Sequence, residues 1–165
     1  MAYSTIPKVR RDGKITLQDS GATNTLEISY EEGNFTFDVA KDDQTVIRDR
    51  GSITTVRKGD EQPITGSFNA YMRQFCDNSE AGSILDFINK TGHYVGNTST
   101  GSAGTPFVEH YCIDIQYFVE ASSLESLDHT ATLSKCVCTV SFAEGDPSAF
   151  TISFTAYGGV AYVEL

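Results

Sequence analysis

Two closely spaced pairs of side chains could together bind a metal ion. His110 and Cys112, and further along Cys136 and Cys138, each stand two residues apart, so each pair would project from one face of a β-strand. Imidazole and thiolate are good ligands for Zn²⁺, but its usual sites hold cysteines in CxxC turns. Because free cysteine is also a common small buried hydrophobe, we predict no metal site and keep a zinc enzyme built on these residues as an alternative.

The three histidines, His93, His110 and His129, lack the neighbours that catalysis needs. None stands at triad or metalloprotease spacing, and the sequence contains no GxSxG, HExxH or phosphate-binding loop. We therefore predict a protein that is not an enzyme, with no catalytic residue, no cofactor and no cofactor-binding residue.

A charged stretch in the first half of the chain could instead bind a partner. Its ionisable residues alternate in sign: Arg48, Asp49, Arg50, Arg57, Lys58, Asp60 and Glu61. A catalytic cluster or a polyanion site is possible, but the carboxylates would repel what the arginines attract. Alternating signs suit a surface that meets a complementary copy of itself, and the remaining alternative is a solvated hairpin whose ion pairs contribute little.

The charge of the whole chain limits its partners. The net charge of -10 is uneven, because residues 74–165 carry eleven carboxylates and only two cations, Lys90 and Lys135. Phosphate contacts need clustered cations, so this acidity argues against a protein that grips DNA. The sequence has no apolar run long enough for a membrane helix and no secretion signal. We expect assembly in a cytoplasm, free thiols and no membrane binding.

These residues are positioned by a chain with strong β-character. Period-two alternation predicts strands at 14–19, 63–75, 107–120, 130–144, 149–158 and 160–165. Residues 25–30 and 35–40 are predicted to pair as a first hairpin, whose polar face presents the carboxylates Glu27, Glu31 and Asp38.

One segment departs from this pattern, because residues 77–91 have helical apolar spacing, with Asp77 or Asn78 as cap. Residues 1–13 are predicted to be a polar arm, and residues 41–62 a long hairpin or loop excursion. The predicted fold is a single mainly β domain over residues 1–165. It has two packed antiparallel sheets, as a β-sandwich or partly closed barrel, and one flanking α-helix.

The order of these motifs has a parallel among viral proteins. The excursion "RDRGSITTVRKGDEQPITGSFNAYM", the lone helix and the closing "CTVSFAEGDPSAFTISFTAYG" together resemble the major tail tube proteins of long-tailed bacteriophages. The likeness extends in layout over residues 24–160. It implies a structural virion protein that assembles into hexameric rings, which stack into a tube through which double-stranded DNA passes. Such tubes also resemble those of contractile tails and secretion systems.

The resemblance implies roles for individual segments. The arm (residues 1–13) and the excursion (residues 41–62) would bridge neighbouring rings through the seven charged residues of the excursion. Glu27, Glu31 and Asp38 would be candidates for an acidic lumen that repels DNA phosphates. The expected partners are the protein itself, a tape measure protein, and tail terminator and distal tail proteins, within a virion tail assembled in the host cytoplasm.

An alternative from another class is a monomeric β-sandwich module that binds a glycan or a protein. Its site would use the small-residue loop at 97–106 together with the hairpin loops. The chain has no Trp, and this absence counts against the aromatic platform such a module would need.

Overall fold

The chain folds mainly into β-strands, as predicted. The structure is a computed structural model that describes residues 13–28, 34–76, 82–101, 110–121 and 127–164. Within these residues the elements are β1 (Gly13–Gln18), β2 (Thr25–Ile28), β3 (Thr36–Asp38), β4 (Gln44–Asp49), β5 (Ser52–Lys58), β6 (Ile64–Tyr71), α1 (Ile84–Asn89), β7 (Ile113–Val119), β8 (His129–Ala143), β9 (Ala149–Ala156) and β10 (Val160–Glu164).

The longest strand of the main sheet, β8, pairs with different strands along its length. The strands of the sheet follow the antiparallel order β2-β1-β7-β8-β9-β6-β3, and β10 also pairs with β8. Residues 129–133 of β8 pair with β7 and β10, whereas residues 136–143 pair with β9. Between them Lys135 has a φ of 55°. We call β2, β1, β7, β10 and the start of β8 the first half-sheet, and the end of β8 with β9, β6 and β3 the second half-sheet.

The two half-sheets share one core. Buried side chains from both join a single cluster that includes Leu17, Ile115, Leu133, Phe68, Ile152 and Phe154. Phe35, beside β3, stacks on Tyr117 of β7 with ring centroids 4.9 Å apart, so the β3 end of the second half-sheet contacts the first half-sheet across the core. The end strands β2 and β3 are not paired with each other. The predicted sandwich is therefore confirmed, and the sheet is not a closed barrel.

The predicted first hairpin between residues 25–30 and 35–40 is wrong. β2 pairs with β1, where Ile28 lies opposite Ile15, and β3 pairs with β6, where Phe37 lies opposite Gly66. Both strands keep the predicted alternation, with Leu26, Ile28 and Phe37 on their more buried face. Alternation sets which face of a strand is buried, but it does not select the neighbouring strand.

The helix is shorter than the predicted span of residues 77–91. It begins at Ile84, after Ser83 in an extended conformation, and the Ser83 hydroxyl accepts a 3.1 Å hydrogen bond from the Asp86 N–H. It ends at Lys90, whose left-handed backbone donates its N–H to the Asp86 carbonyl. A serine cap followed three residues later by an acid is the pattern of a capping box, so the sequence does carry the signal for this start.

Some predicted features lie outside the described residues. These are the arm up to residue 12, Glu31, the proposed caps Asp77 and Asn78, and residues 102–106 of the small-residue loop. Among the residues that the structure describes, no helix is long and apolar enough to cross a membrane.

Candidate assembly surfaces

The charged excursion forms a separate two-stranded hairpin. β4 and β5 pair only with each other among the described strands, with Val46 opposite Val56. Arg50 and Gly51 connect them with positive φ angles of 46° and 89°. Two successive positive φ angles match the right-handed twist of a tight hairpin, and glycine supplies one of them without strain.

The hairpin buries neither of its faces. Every residue of β4 and β5 is exposed, although four of them are large and apolar: Val46, Ile47, Ile53 and Val56. Val46 and Val56 share one face, and Ile47 lies opposite Thr55 on the other. An isolated two-stranded ribbon is only marginally stable in water. The hairpin therefore has the apolar side chains of a strand pair that packs against another surface, but no described residue of the chain buries them.

The seven predicted contact residues are spread along the hairpin. Arg48, Asp49 and Arg50 lie at its tip, while Lys58 lies at its base opposite Gln44, followed by Asp60 and Glu61. Arg57 lies opposite Thr45, one step above the base. The structure thus separates a basic tip, with two arginines and one aspartate, from a group at and next to the base that has two cations and two carboxylates.

The base of the hairpin is held by a few close contacts. The Lys58 Nζ lies 2.8 Å from the Asp42 Oδ2, and this hydrogen bond, together with the charge of Asp42, raises the pKa of Lys58. The Asp43 N–H donates to the Asp60 carbonyl at 3.0 Å. A Cβ at Gly59 would lie 2.8 Å from the Asp43 carbonyl oxygen, so only glycine fits this crossing.

A hollow of about 370 Å³ lies beside this base. Its wall combines carboxylates of the excursion with apolar side chains of the main sheet: Val39, Asp42, Glu61, Pro63, Ile64, Tyr157 and Val160. Val39 and Tyr157 are more than half exposed, at 54% and 63%. The hollow is therefore an open surface with both an acidic and an apolar part.

A second surface, the outer face of the second half-sheet, carries almost only neutral side chains. Its alternate residues point away from the core, because Phe150, Ile152 and Phe154 occupy the buried positions of β9. The register aligns these outer residues in three cross-strand rows: Val137-Thr155-Thr65-Asp38, Thr139-Ser153-Ser67-Thr36 and Ser141-Thr151-Asn69. Asp38 is the only charged residue in these rows, and we call them the hydroxyl face.

The acidic residues predicted for a lumen are not side by side. Glu27 lies on β2 in the first half-sheet, where its carboxylate is 2.6 Å from the Lys14 Nζ. Asp38 lies on β3 in the second half-sheet, at the other end of the strand path. The supposed row depended on a first hairpin that does not form, and of the two acidic residues that the structure describes, only Asp38 belongs to the hydroxyl face. Sequence alternation predicted the polar positions, but the pairing that aligns the hydroxyl rows could not be read from it.

Cys112 and Cys136 are core residues, whereas Cys138 is half-buried and Cys76 is exposed. Cys136 is fully buried and donates to the Leu133 carbonyl, and Cys112 is buried beside the carbonyl of the exposed His110. Burial raises the pKa of Cys136 strongly and that of Cys138 to about 12, which disfavours the thiolate form that binds metals. No group of three or more metal-ligating side chains occurs in the described parts of the chain.

The described part of the small-residue loop is anchored inside the protein. Asn97 is 1% exposed and donates to the Tyr111 hydroxyl at 3.1 Å. The Thr98 N–H and hydroxyl lie 3.3 and 3.4 Å from the carboxylate of Asp19, which is itself buried and accepts from the Asn24 N–H at 2.8 Å. Burial alone would raise the pKa of Asp19, but these hydrogen bonds outweigh it and lower that pKa. These hydrogen bonds connect the start of this loop to the chain after β1 and to the chain before β7.

Solved structures share this fold along nearly the whole chain. No protein-family model matches the chain, and no curated protein matches it. A chain of the PVC sheath-tube complex, from an extracellular contractile injection system in the extended state, superposes with a TM-score of 0.62 at 13% identity, over 99% of this chain and 100% of that one. A chain of the PVC sheath/tube terminator gives 0.60 at 15% identity, over 99% of both chains. A chain of the anti-feeding prophage baseplate gives 0.54 at 10% identity, over 99% and 97%.

These likenesses concern the fold. The sequence resembled tube proteins of long-tailed phages, whereas the similar solved structures come from contractile injection systems. The two observations agree on the coarser statement that the chain has the fold of a protein of phage-tail-like assemblies. They do not favour the long-tailed phages in particular.

Proposed function

We propose that this chain is a structural subunit of a tail-like tube. The observation that carries the proposal is the second half-sheet, which has a neutral polar outer face and an open edge on each side. At one edge β3 pairs only with β6, and at the other residues 137–143 of β8 pair only with β9 among the described strands. Open strand edges invite pairing with another chain.

Pairing one open edge with the opposite edge of the next copy is a head-to-tail contact, which closes into a ring when its rotation allows. Each copy would add four strands to the wall. In a ring of six copies, at a strand spacing of about 4.8 Å, the wall would measure roughly 115 Å around before strand tilt widens it. Such a ring encloses a channel, and the hydroxyl face would line it.

The channel would pass its cargo with little adhesion. A face of threonine and serine with a single carboxylate, Asp38, offers no cluster of cations to hold phosphates. Double-stranded DNA is the cargo implied by the resemblance to phage tubes. Because the similar solved structures come from contractile injection systems, a cargo other than DNA would be equally compatible with this wall.

The remaining surfaces would join rings and end proteins. The exposed β4–β5 hairpin and the arm at residues 1–13 would bridge successive rings. A tape measure protein, a terminator and a distal tail protein would meet the growing tube and its ends. On this proposal the protein acts in the tail of a virion or a virion-like particle, has a structural role, and catalyses no reaction.

Concentration-dependent assembly tests the proposal. The purified chain should form rings or tubes in negative-stain microscopy as its concentration rises, and sedimentation velocity should show a discrete ring species. A chain that stays monomeric across all concentrations and salts would refute the proposal and favour a monomeric binding module.

A further inference from the structure

The hairpin carries opposite charges at its two ends. Its tip, residues 47–53, has two arginines and one aspartate, a net charge of +1. Its base, residues 41–43 and 58–62, has four carboxylates and two lysines, a net charge of -2. Lys58 is already engaged by Asp42. Asp60 and Glu61 are exposed, and no described basic side chain forms a salt bridge with either.

The apolar surfaces of the two ends also match. At the tip Ile53 lies opposite Arg48 and is 57% exposed. At the base the hollow offers Val39, Pro63 and Tyr157 beside Glu61. An apolar side chain beside an arginine thus has its counterpart in an apolar hollow beside carboxylates. Burial of both apolar surfaces would favour contact between them.

The tip of a hairpin cannot reach the base of the same hairpin. The turn at Arg50 lies six residues after Gln44, which corresponds to about 20 Å at roughly 3.3 Å per residue. The paired strands hold the two ends apart. Contact between tip and base therefore requires two copies, and it repeats along an axis because each copy has both ends.

We propose that the hairpin tip of one copy docks into the base hollow of a copy in the next ring, with Arg48 and Arg50 meeting Asp60 and Glu61. This inference rests on the proposed tube function, and it names the acceptor of the hairpin. Six such contacts per ring act together, so each can be weak while the ring stack is stable. Added salt should loosen the stack, because exposed charge pairs are screened.

Charge reversal at each end tests the pairing. Tip reversal (Arg48→Glu with Arg50→Glu) and base reversal (Asp60→Lys with Glu61→Lys) should each leave rings intact. Each should raise the concentration needed for tubes by about tenfold or more, since attractive pairs become like-charge contacts at every site. The chain that carries both reversals should recover tube formation. Matched controls reverse exposed charges elsewhere, Glu144→Lys with Glu164→Lys, and should stack as the wild type does.

The outcomes separate this inference from the tube function. Wild-type chains that form no rings would refute the tube function itself. Two outcomes with wild-type tubes present would overturn the inference while the tube function stands. In the first, base reversal leaves stacking unchanged. In the second, the chain that carries both reversals stays as defective in stacking as tip reversal alone, so the acceptor lies elsewhere.

Cross-linking gives a direct second measurement. In a Cys76→Ser background, Ser52→Cys at the tip and Gln62→Cys in the hollow should be joined between copies by a short bifunctional maleimide. Assembled tubes should then yield a ladder of covalent multimers on denaturing gels. Ser52→Cys combined with Thr132→Cys, on the first half-sheet, is the control and should yield none. Tubes that give no ladder from the tip and hollow pair would contradict the docking.

Discussion

Two antiparallel ribbons of this molecule differ in what they bury. The β8–β9 ribbon buries one face, and its inward residues Phe150, Ile152 and Phe154 are at most 3% exposed. The β4–β5 hairpin buries nothing, and its apolar residues Val46, Ile47, Ile53 and Val56 are 38–57% exposed. Both are antiparallel pairs with β-prone sequences, although the register of the hairpin shifts between Ile47 and Arg48. The first ribbon is therefore stabilised within its own chain, whereas the second leaves apolar side chains exposed.

Truncation of one large side chain in each ribbon should give the largest difference in unfolding free energy between them. Phe154→Ala should cost about 3–5 kcal/mol of unfolding free energy, because Phe154 packs among Phe35 and Phe68 in the core. Ile53→Ala in the hairpin should change the stability of the isolated chain by no more than about 0.5 kcal/mol. Urea denaturation of dilute, unassembled protein measures both. A loss below about 1 kcal/mol for Phe154→Ala would contradict the core described here.

Glycines give the next largest contrast. In the main sheet, a Cβ at Gly66 would collide with the Thr36 carbonyl oxygen and the Phe154 ring, so Gly66→Ala should cost about 2–3 kcal/mol through overpacking. At the hairpin tip, a Cβ at Gly51 would meet nothing within 4 Å. Gly51→Ala should therefore cost only its backbone strain at positive φ, about 1–2 kcal/mol, and only to the hairpin.

Thermal unfolding distinguishes the two glycine variants. Gly66→Ala should lower the midpoint of the whole domain. Gly51→Ala should leave that midpoint in place, because the main sheet does not depend on the hairpin. Equal shifts for both variants would show that the hairpin and the main sheet unfold as one unit.

Individual residues show how far sequence reasoning reached. Alternation located β6, β8 and β9 to within a few residues, because each has one face in the core and period two is imposed by that burial. Alternation did not predict the partners of the strands that contain Leu26 and Phe37, which were assigned to each other. The partner of a strand depends on which distant strand completes the core beside it. The helix start at Ser83 could have been found from its Asp86 partner, but the earlier Asp77 offered a competing signal.

The surfaces were less accessible to sequence reasoning than the fold. Residues 41–62 were expected to form a long hairpin or loop excursion, but the tight turn at Arg50 and Gly51 was not located from the sequence. The division between the Arg50 tip and the Glu61 base needs the strand register, which brings Lys58 opposite Gln44. The hydroxyl face likewise exists only after β8, β9, β6 and β3 are aligned.

The main sheet and the hairpin also differ in how much a carboxylate contributes to stability. Asp19 is buried and hydrogen-bonded, and its folded pKa lies below the ordinary value of 3.8. Its contribution to stability is therefore present above the unfolded pKa and is lost as pH falls through the folded one. Asp19→Asn should cost about 1–2 kcal/mol near neutral pH. It should also lessen the loss of stability that acid causes.

The matched change at the hairpin base is Asp42→Asn. The Lys58–Asp42 pair is exposed to solvent, and such pairs contribute little, so the acid dependence of unfolding should stay as in the wild type. Unfolding free energies measured at several pH values between about 7 and 2 test both variants. If the Asp19→Asn chain has the same pH dependence of stability as the wild type, the Asp19 carboxylate does not contribute to the stability of the fold.

The smallest effect on stability should accompany a clear effect on assembly. Val46→Thr with Val56→Thr preserves β-branched shape and β-propensity while it makes one hairpin face polar. Because both valines are exposed in the isolated chain, unfolding free energy should change by no more than about 0.5 kcal/mol. If a neighbouring copy covers this face in the tube, each contact loses apolar burial, and tubes should need a higher protein concentration. Thr54→Val, which adds an apolar group to the same ribbon, should act in the opposite direction. If both variants assemble as the wild type does, the exposed valines are a solvated face, and the hairpin acts through its charges alone.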